Sequence, residues 1–241
     1  MKRRDFVKNT LGAITASYIP FSRASDIPSE IACMSRTGKM MGLKRADVAD
    51  LAKSLQRKLL LKSTPHYHQE RMLWNGLADH TLPALIAQCI DSDDVINAVN
   101  FARTHDLLVT VRGGGHGISG KAIANDALLI DLSKMSNLSA NPLTMVATAQ
   151  AGVLLRELDV GTQAHGMAVP AGVVSHTGVA GLTLGGGIGI NMRKMGLTSD
   201  NLLSVQIVTA DGKLRTASDS ENTDLFWAVR GGGGNFGVVT S

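Results

Sequence analysis

An α+β fold is what this sequence predicts, on three observations. Apolar and β-branched runs of strand length, such as Leu107 to Arg112 and Ala127 to Leu132, alternate with amphipathic segments of helix length. Glycine is frequent, 26 of 241 residues against a usual share of roughly 7%, and the excess falls in three segments around residues 113–120, 172–189 and 231–237. No internal repeat appears. A hydrophobic content of 44% is ample for a buried core.

In chain order, residues 25 to about 65 begin polar and without pattern, and then read as a helix from Ala46 to Leu61 by the spacing of their apolar residues. Pro83 to Ile90 reads as a strand. Asp91-Ser92-Asp93-Asp94 is a helix cap, followed by Val95, Ile96, Val99 and Phe101-Ala102 on one face. Leu107 to Arg112, Ala127 to Leu132 and Leu143 to Ala149 read as strands, and Val153 to Ala164 as an amphipathic helix. Val169 to Gly189 is too rich in glycine for regular structure. Leu203 to Ala210 and Lys213 to Ala217 flank the turn pair Asp211-Gly212 as a hairpin. Asn222 to Val229 is a short helix carrying Phe226 and Trp227 into the core, and Phe236 to Thr240 begins a strand.

The net charge of +4 lies wholly in the first 24 residues, where Lys2, Arg3, Arg4, Lys8 and Arg23 oppose Asp5. The rest of the chain is neutral, so no electrostatic footprint for nucleic acid is present. Lys2-Arg3-Arg4-Asp5-Phe6-Val7-Lys8, the modestly apolar run Thr10 to Phe21 and the small-x-small triplet Ser22-Arg23-Ala24 read as a twin-arginine export leader over 1–24. No stretch reaches membrane-spanning length, so a soluble product in the periplasm or outside the cell is expected. Cys33 and Cys89 could pair in such a compartment, although Cys89 lies in an apolar run and reads better as a small buried hydrophobe.

The segment Val109-Thr110-Val111-Arg112-Gly113-Gly114-Gly115-His116-Gly117-Ile118-Ser119-Gly120 is the most informative. A strand breaks into glycines whose N–H groups can form a concave anion site, with His116 beside it. Gly115, Gly117 and Gly120 also fit the dinucleotide pattern GxGxxG, but Lys121 to Asp126 is too short and polar for the crossover helix that motif needs. No glycine run is followed by the Lys-Ser/Thr pair of a P-loop. His116 alone would read as a surface or hydrogen-bonding residue, and no second ligand at metal spacing accompanies it.

Three ordered motifs resemble one family. Arg112 to His116 is similar to the flavin-linking loop of the vanillyl-alcohol-oxidase-like, PCMH-type FAD-binding flavoproteins, with the berberine-bridge-enzyme-like branch matching best. Ala171 to Gly189, continued by Arg193 to Leu197 and Asp200-Asn201, resembles the second FAD loop, and Asp224 to Thr240 resembles the third signature. The resemblance covers about Tyr67 to Ser241. It implies a domain over 66–241, in subdomains of about 66–135 and 136–241 that clasp FAD, preceded by an N-terminal extension over 25–65. In the family a substrate domain follows the third signature, and this chain reads as lacking it.

The resemblance also implies the site. FAD would be held by Arg112, Gly113, Gly114, Gly115, His116, Gly117, Ser119 and Gly120 in the first loop. In the second it would be held by Gly172, Val173, Val174, His176, Thr177, Gly178, Gly181, Leu182, Gly185, Gly186, Gly187 and Gly189, with Gly237 and Val238 beyond. His116 matches the covalent attachment histidine, joined to the 8α-methyl carbon of the flavin. Doubly linked relatives carry a cysteine where Val174 stands, so attachment through histidine only is expected. His176 reads as a loop residue lining the cofactor. Arg193 and Asp200-Asn201 read as structural ties, and no catalytic base is assigned.

The implied activity is oxidation of a C–H next to oxygen or nitrogen in a small-molecule substrate, the hydride passing to flavin. One alternative is a non-catalytic flavin-binding module, or half of a split enzyme whose partner chain supplies the substrate domain. Another is a dehydrogenase that delivers electrons to a carrier protein. The fold leaves the substrate open.

Overall fold

A computed structural model describes residues 27–241, so the leader expected over 1–24 lies outside the described residues. A hairpin of β1 (Glu30–Met34) and β2 (Met40–Lys44) opens the fold, followed by α1 (Arg45–Ser54) and β3 (Leu59–Leu61). Next come the short α2 (Tyr67–Glu70), β4 (Leu85–Gln88), α3 (Ser92–Thr104), β5 (Val109–Arg112) and β6 (Leu128–Asp131). Strands β3, β4, β6 and β5 form one sheet in that order, antiparallel at β3 and parallel elsewhere. Strands β4 and β6 are buried along their whole length, which is why their sequences are nearly continuously apolar rather than alternating.

The two faces of that sheet part its residues by the strand period of two. Leu128 and Ile130 face the main core with Val48 and Leu51 of α1 and Val95 and Ala98 of α3. Leu129 and Ile86 turn the other way, onto Leu60 and Tyr67. The buried Tyr67 hydroxyl donates to the Pro83 carbonyl at 2.5 Å, and burial pushes its pKa up to about 12. Asp91 caps α3 as the sequence predicts, its carboxylate accepting from the N–H of Asp94 at 3.0 Å.

Beyond residue 135 come the hairpin β7 (Leu138–Asn141) and β8 (Val146–Ala149), then α4 (Leu155–Gln163), α5 (Val179–Leu184) and α6 (Met192–Met195). A second sheet of order β10-β9-β11 follows, built from β9 (Ser204–Val208), β10 (Leu214–Ser218) and β11 (Val238–Val239), all antiparallel. Helix α7 (Thr223–Val229) packs Phe226 and Val229 onto it. Val208 and Val238 belong to the same core cluster as the first sheet, so one core joins the two.

Several elements differ from the sequence expectation. The start of the extension is patterned after all, as the hairpin β1–β2. The helix expected over Ala46 to Leu61 stops at Ser54, because the N–H of Gln56 is taken by the Asp94 carboxylate at 2.8 Å and Leu59–Leu61 pairs with β4. The segment Val169 to Gly189 contains α5. The strand expected from Leu143 begins at Val146, since Leu143 lies in the hairpin turn and is 94% exposed. Cys33 and Cys89 are free and separately buried, and burial raises both thiol pKa values, that of Cys33 to about 11. Phe226 is core as expected, whereas Trp227 is 74% exposed. The Asp211-Gly212 turn is present within a wider Thr209–Lys213 loop, with Gly212 at φ +74°.

Candidate functional site: a histidine loop facing a second glycine loop

The first loop is anchored by an ion pair that the parallel sheet dictates. Register places Arg112 at the end of β5 beside Asp131 at the end of β6. The guanidinium donates from Nε to Oδ1 at 3.1 Å and from Nη2 to Oδ2 at 2.7 Å, with both side chains buried. Its Nη1 donates to the Met72 carbonyl at 3.1 Å. Asp131 also accepts from the N–H and hydroxyl of Ser133, both at 3.1 Å. Arg112 was a candidate contact for the anion. Here its charge is met by Asp131, and it lines the same cavity as His116.

Beyond Arg112 the backbone opens. None of the N–H groups from Gly113 to Ser119 donates to a protein acceptor among the described residues. The same holds from Gly172 to His176. A Cβ at Gly114 would collide with the backbone of Gly178, and one at Gly178 with the backbone of Gly114, so the loops meet backbone to backbone. Two runs of unpaired N–H groups at such a junction form a concave donor surface for an anion. A pyrophosphate-bearing cofactor fits that chemistry.

His116 lines a cavity of about 390 Å³, together with Arg112, Gly113, Gly114, Ser133, Arg156 and His176. Its Nε2 is 2.5 Å from Nδ1 of His176, and its Nδ1 is 3.5 Å from the Thr177 hydroxyl. The Trp74 indole stacks on its ring, with centroids 5.1 Å apart and planes at 17°. The N–H of Trp74 donates to the Gly115 carbonyl at 3.2 Å, which ties that stack to the loop. Partial burial, then the neighbouring His176, lowers the pKa of His116, favouring its neutral form.

The remaining candidates divide. Gly117, Ser119 and Gly120 form an open turn, with Gly120 at φ +68° and free space where a side chain would stand at either glycine. Val173, Val174 and Gly181 are exposed. Leu182 packs against the cluster of Val153, Leu155 and Leu158. Gly187 and Gly189 are packing glycines, pressed onto Thr198 and Ala171, and Gly185 and Gly186 spend their N–H groups on Leu182 and Thr183. Gly237 backs onto the carbonyl of Val208, and Val238 pairs in the sheet with its side chain in the core. Gly185, Gly186, Gly187, Gly189, Gly237 and Val238 therefore stand apart from the His116 cavity. Asp200 accepts from the Leu197 N–H, and Asn201 donates to the Met195 and Leu197 carbonyls, so both hold their own turn.

Sequence reasoning missed Trp74, Arg156, Ser133 and Ser136. Trp74 sits in the stretch Arg71 to His80, which has no strand or helix period, and the following Asn75-Gly76 signals only a turn. Arg156 lies in the first turn of α4 and becomes a site residue only because its N–H bonds the Ser175 carbonyl at 2.9 Å and draws that turn under the second loop. Among the described residues no group of three or more His, Cys, Asp or Glu side chains could hold a metal ion. No helix there is long and apolar enough to cross a membrane.

These features define a flavin-binding module, and comparison with known proteins agrees. A model of the FAD binding domain family matches residues 83–218. The FAD-linked oxidoreductase pgmH of Aspergillus terreus is 38% identical over 201 residues, covering 82% of this chain and 41% of that protein. The (R)-6-hydroxynicotine oxidase of Paenarthrobacter nicotinovorans is 35% identical over 187 residues, covering 78% and 41%. Among solved structures, 6-hydroxy-D-nicotine oxidase from Arthrobacter nicotinovorans superposes with a TM-score of 0.76 at 35% identity, covering 78% of this chain and 41% of that one. The berberine-bridge-enzyme-like protein 1 of Physcomitrella patens gives 0.75 at 31%, covering 80% and 42%. The chain belongs to the FAD binding domain family, within the PCMH-type, berberine-bridge-like FAD-linked oxidoreductases. It spans about two fifths of the length of these relatives, 41% of the first.

Proposed function

We propose that this chain is the FAD-binding part of an FAD-dependent oxidoreductase of the oxidase type, with the flavin bonded to His116 alone. The observation that carries this reading is the placing of a neutral-favoured imidazole beside a run of unpaired backbone N–H groups. Gly113 to Ser119 and Gly172 to His176 would hold the pyrophosphate through their N–H groups, and Arg156 would add a positive charge at the same cavity. The bond would join an imidazole nitrogen of His116 to the 8α-methyl carbon of the flavin. Val174 offers no sulfur for a second bond. The bound flavin would supply the redox chemistry, accepting a hydride from a C–H next to oxygen or nitrogen.

The substrate class proposed is a small alcohol, sugar or amine. The named relatives include a hydroxynicotine oxidase and a grass pollen allergen with glucose dehydrogenase activity. The twin-arginine pattern over residues 1–24 supports export to the periplasm or beyond, after the cofactor is loaded in the cytoplasm. Flavin fluorescence of the denatured protein in an SDS gel tests the linkage. A fluorescent band in the wild type that vanishes in His116→Ala is the expected result. Protein that binds FAD and releases all of it on denaturation would sink the covalent reading and leave the binding domain standing. Oxygen uptake during turnover separates an oxidase from a dehydrogenase that uses a carrier.

A further inference from the structure

We infer that His176 is a positioning residue for flavin attachment: it holds Nε2 of His116 and leaves Nδ1 as the nitrogen that forms the bond. The inference rests on the attachment reading above. At 2.5 Å, Nε2 of His116 and Nδ1 of His176 can share only one proton between them. With that proton on Nε2, the lone pair of His116 is on Nδ1, whose nearest protein partner is the Thr177 hydroxyl at 3.5 Å, the limit of a hydrogen bond. One nitrogen is therefore engaged and the other is available, which is the tautomer a nucleophilic imidazole needs.

Trp74 fixes the other degree of freedom. Its indole is nearly parallel to the His116 ring, at 17°, while His176 is tilted at 43° with centroids 4.5 Å apart. The imidazole is thus held in plane by the stack and in rotation by the hydrogen bond. His116 comes from the loop after β5 and His176 from the loop before α5, 60 residues apart, so both loops must close for the pair to form. The charged groups lining the same cavity are Arg112, whose charge is met by Asp131, together with Arg156 and Glu157. Burial and then the neighbouring His176 disfavour a charge on His116.

Attachment balances as follows. One C–H of the flavin methyl group and the N–H of His116 are lost, and one C–N bond forms. The two electrons and two protons released reduce dioxygen to hydrogen peroxide. The part of His176 is to take up the Nε2 proton as Nδ1 bonds and to pass it on toward the peroxide, so that the linked His116 ring is left neutral.

The experiment is a time course of covalent incorporation. Full-length protein from riboflavin-limited cells is mixed with FAD in air at several pH values, and samples are denatured and read by in-gel flavin fluorescence. Total FAD bound before denaturation is measured in parallel. Wild type should link, at a rate that climbs with pH as His116 loses its charge and takes the neutral form. His176→Ala should bind FAD yet link about a hundredfold more slowly, the scale of a lost proton acceptor. Its rise with pH should move to higher pH, since His176 is one of the groups that lower the His116 pKa, and added imidazole should restore part of the rate. His176→Ala linking at the wild-type rate and pH dependence overturns the inference, while the attachment reading survives. Wild type that never links overturns the attachment reading and this inference with it. If His176→Ala binds no FAD, His176→Gln decides, since its amide oxygen can accept the hydrogen bond but not the proton. Gln binding FAD with slow linkage supports the assignment, and Gln binding no FAD, or linking at the wild-type rate, overturns it.

Discussion

Arg112 shows how one residue at the end of a strand can anchor a loop. Its pair with Asp131 is almost fully buried, at 8% and 0% side-chain exposure, and fourfold hydrogen-bonded on the carboxylate side. Removing one partner strands a buried charge, which costs about 3–5 kcal/mol, whereas an apolar pair of similar volume can come close to neutral. Asp131→Asn should therefore lower the urea midpoint severely, and Arg112→Met with Asp131→Leu should recover much of the loss. If the single and double variants are equally destabilised, the pair is valued for something other than charge compensation. The glycines divide in the same way. Gly114→Ala should block closure of the two loops and abolish FAD binding, because its Cβ has only the Gly178 backbone to occupy. Gly117→Ala meets open space at an ordinary backbone angle, so stability of the FAD-free protein should stay within about 0.5 kcal/mol. FAD retention measured on the two variants separates glycines that shape the cradle from those that merely face it.

At the scale of elements, sequence pattern succeeded where one local rule and the tertiary environment agreed. The Asp91 cap of α3, the buried runs of β4 and β6 and the β9–β10 hairpin were legible because capping, apolar length and turn chemistry all pointed one way. Helix α5 was not legible, since Val179–Leu184 is short, holds Gly181 and a β-branched residue at each end of its middle, and lies between Gly178 and Gly185. Packing of Val179 and Leu182 onto the Val153–Leu155–Leu158 cluster overrides that poor propensity. β3 was lost to the helix pattern because three consecutive leucines carry no period. In the site, glycines and His116 were legible as residue types, but Trp74 and Arg156 depend on contacts between distant elements that no spacing encodes. The packing account of α5 predicts that Leu158→Ala, deep in that cluster, costs about 2–5 kcal/mol and weakens FAD binding by loosening the second loop. Glu157→Gln, which keeps a weaker acceptor for the Leu154 N–H now bonded at 2.8 Å, should cost about 1 kcal/mol. Thermal denaturation with and without FAD checks both. Equal losses for the two would deny the cluster its role.

Across the whole molecule, the question is whether the two sheets behave as one body. The first sheet and α3 share the main cluster with Val208 of β9 and Val238 of β11. A hydrogen bond crosses the same boundary, the Ser92 hydroxyl of α3 meeting that of Thr240 at 3.1 Å. The loops that would hold the flavin come from the two parts of the chain, Gly114 from the loop between β5 and β6 of the first sheet and Gly178 from the segment before the second. A site split between two independently unfolding halves would lose its Gly114–Gly178 contact whenever either half opened. A shared core instead makes each half raise the stability of the other, which keeps the two loops in register before FAD arrives. Unfolding of the described body should then be a single transition. Pulse-labelled amide exchange across a urea series should give one midpoint for peptides spanning β6 and β9. Val208→Ala, which removes a side chain that reaches across the boundary, should move both midpoints down together. Midpoints that separate in the wild type, or a Val208→Ala shift confined to β9, would show that the halves fold on their own and that the flavin itself draws the site together.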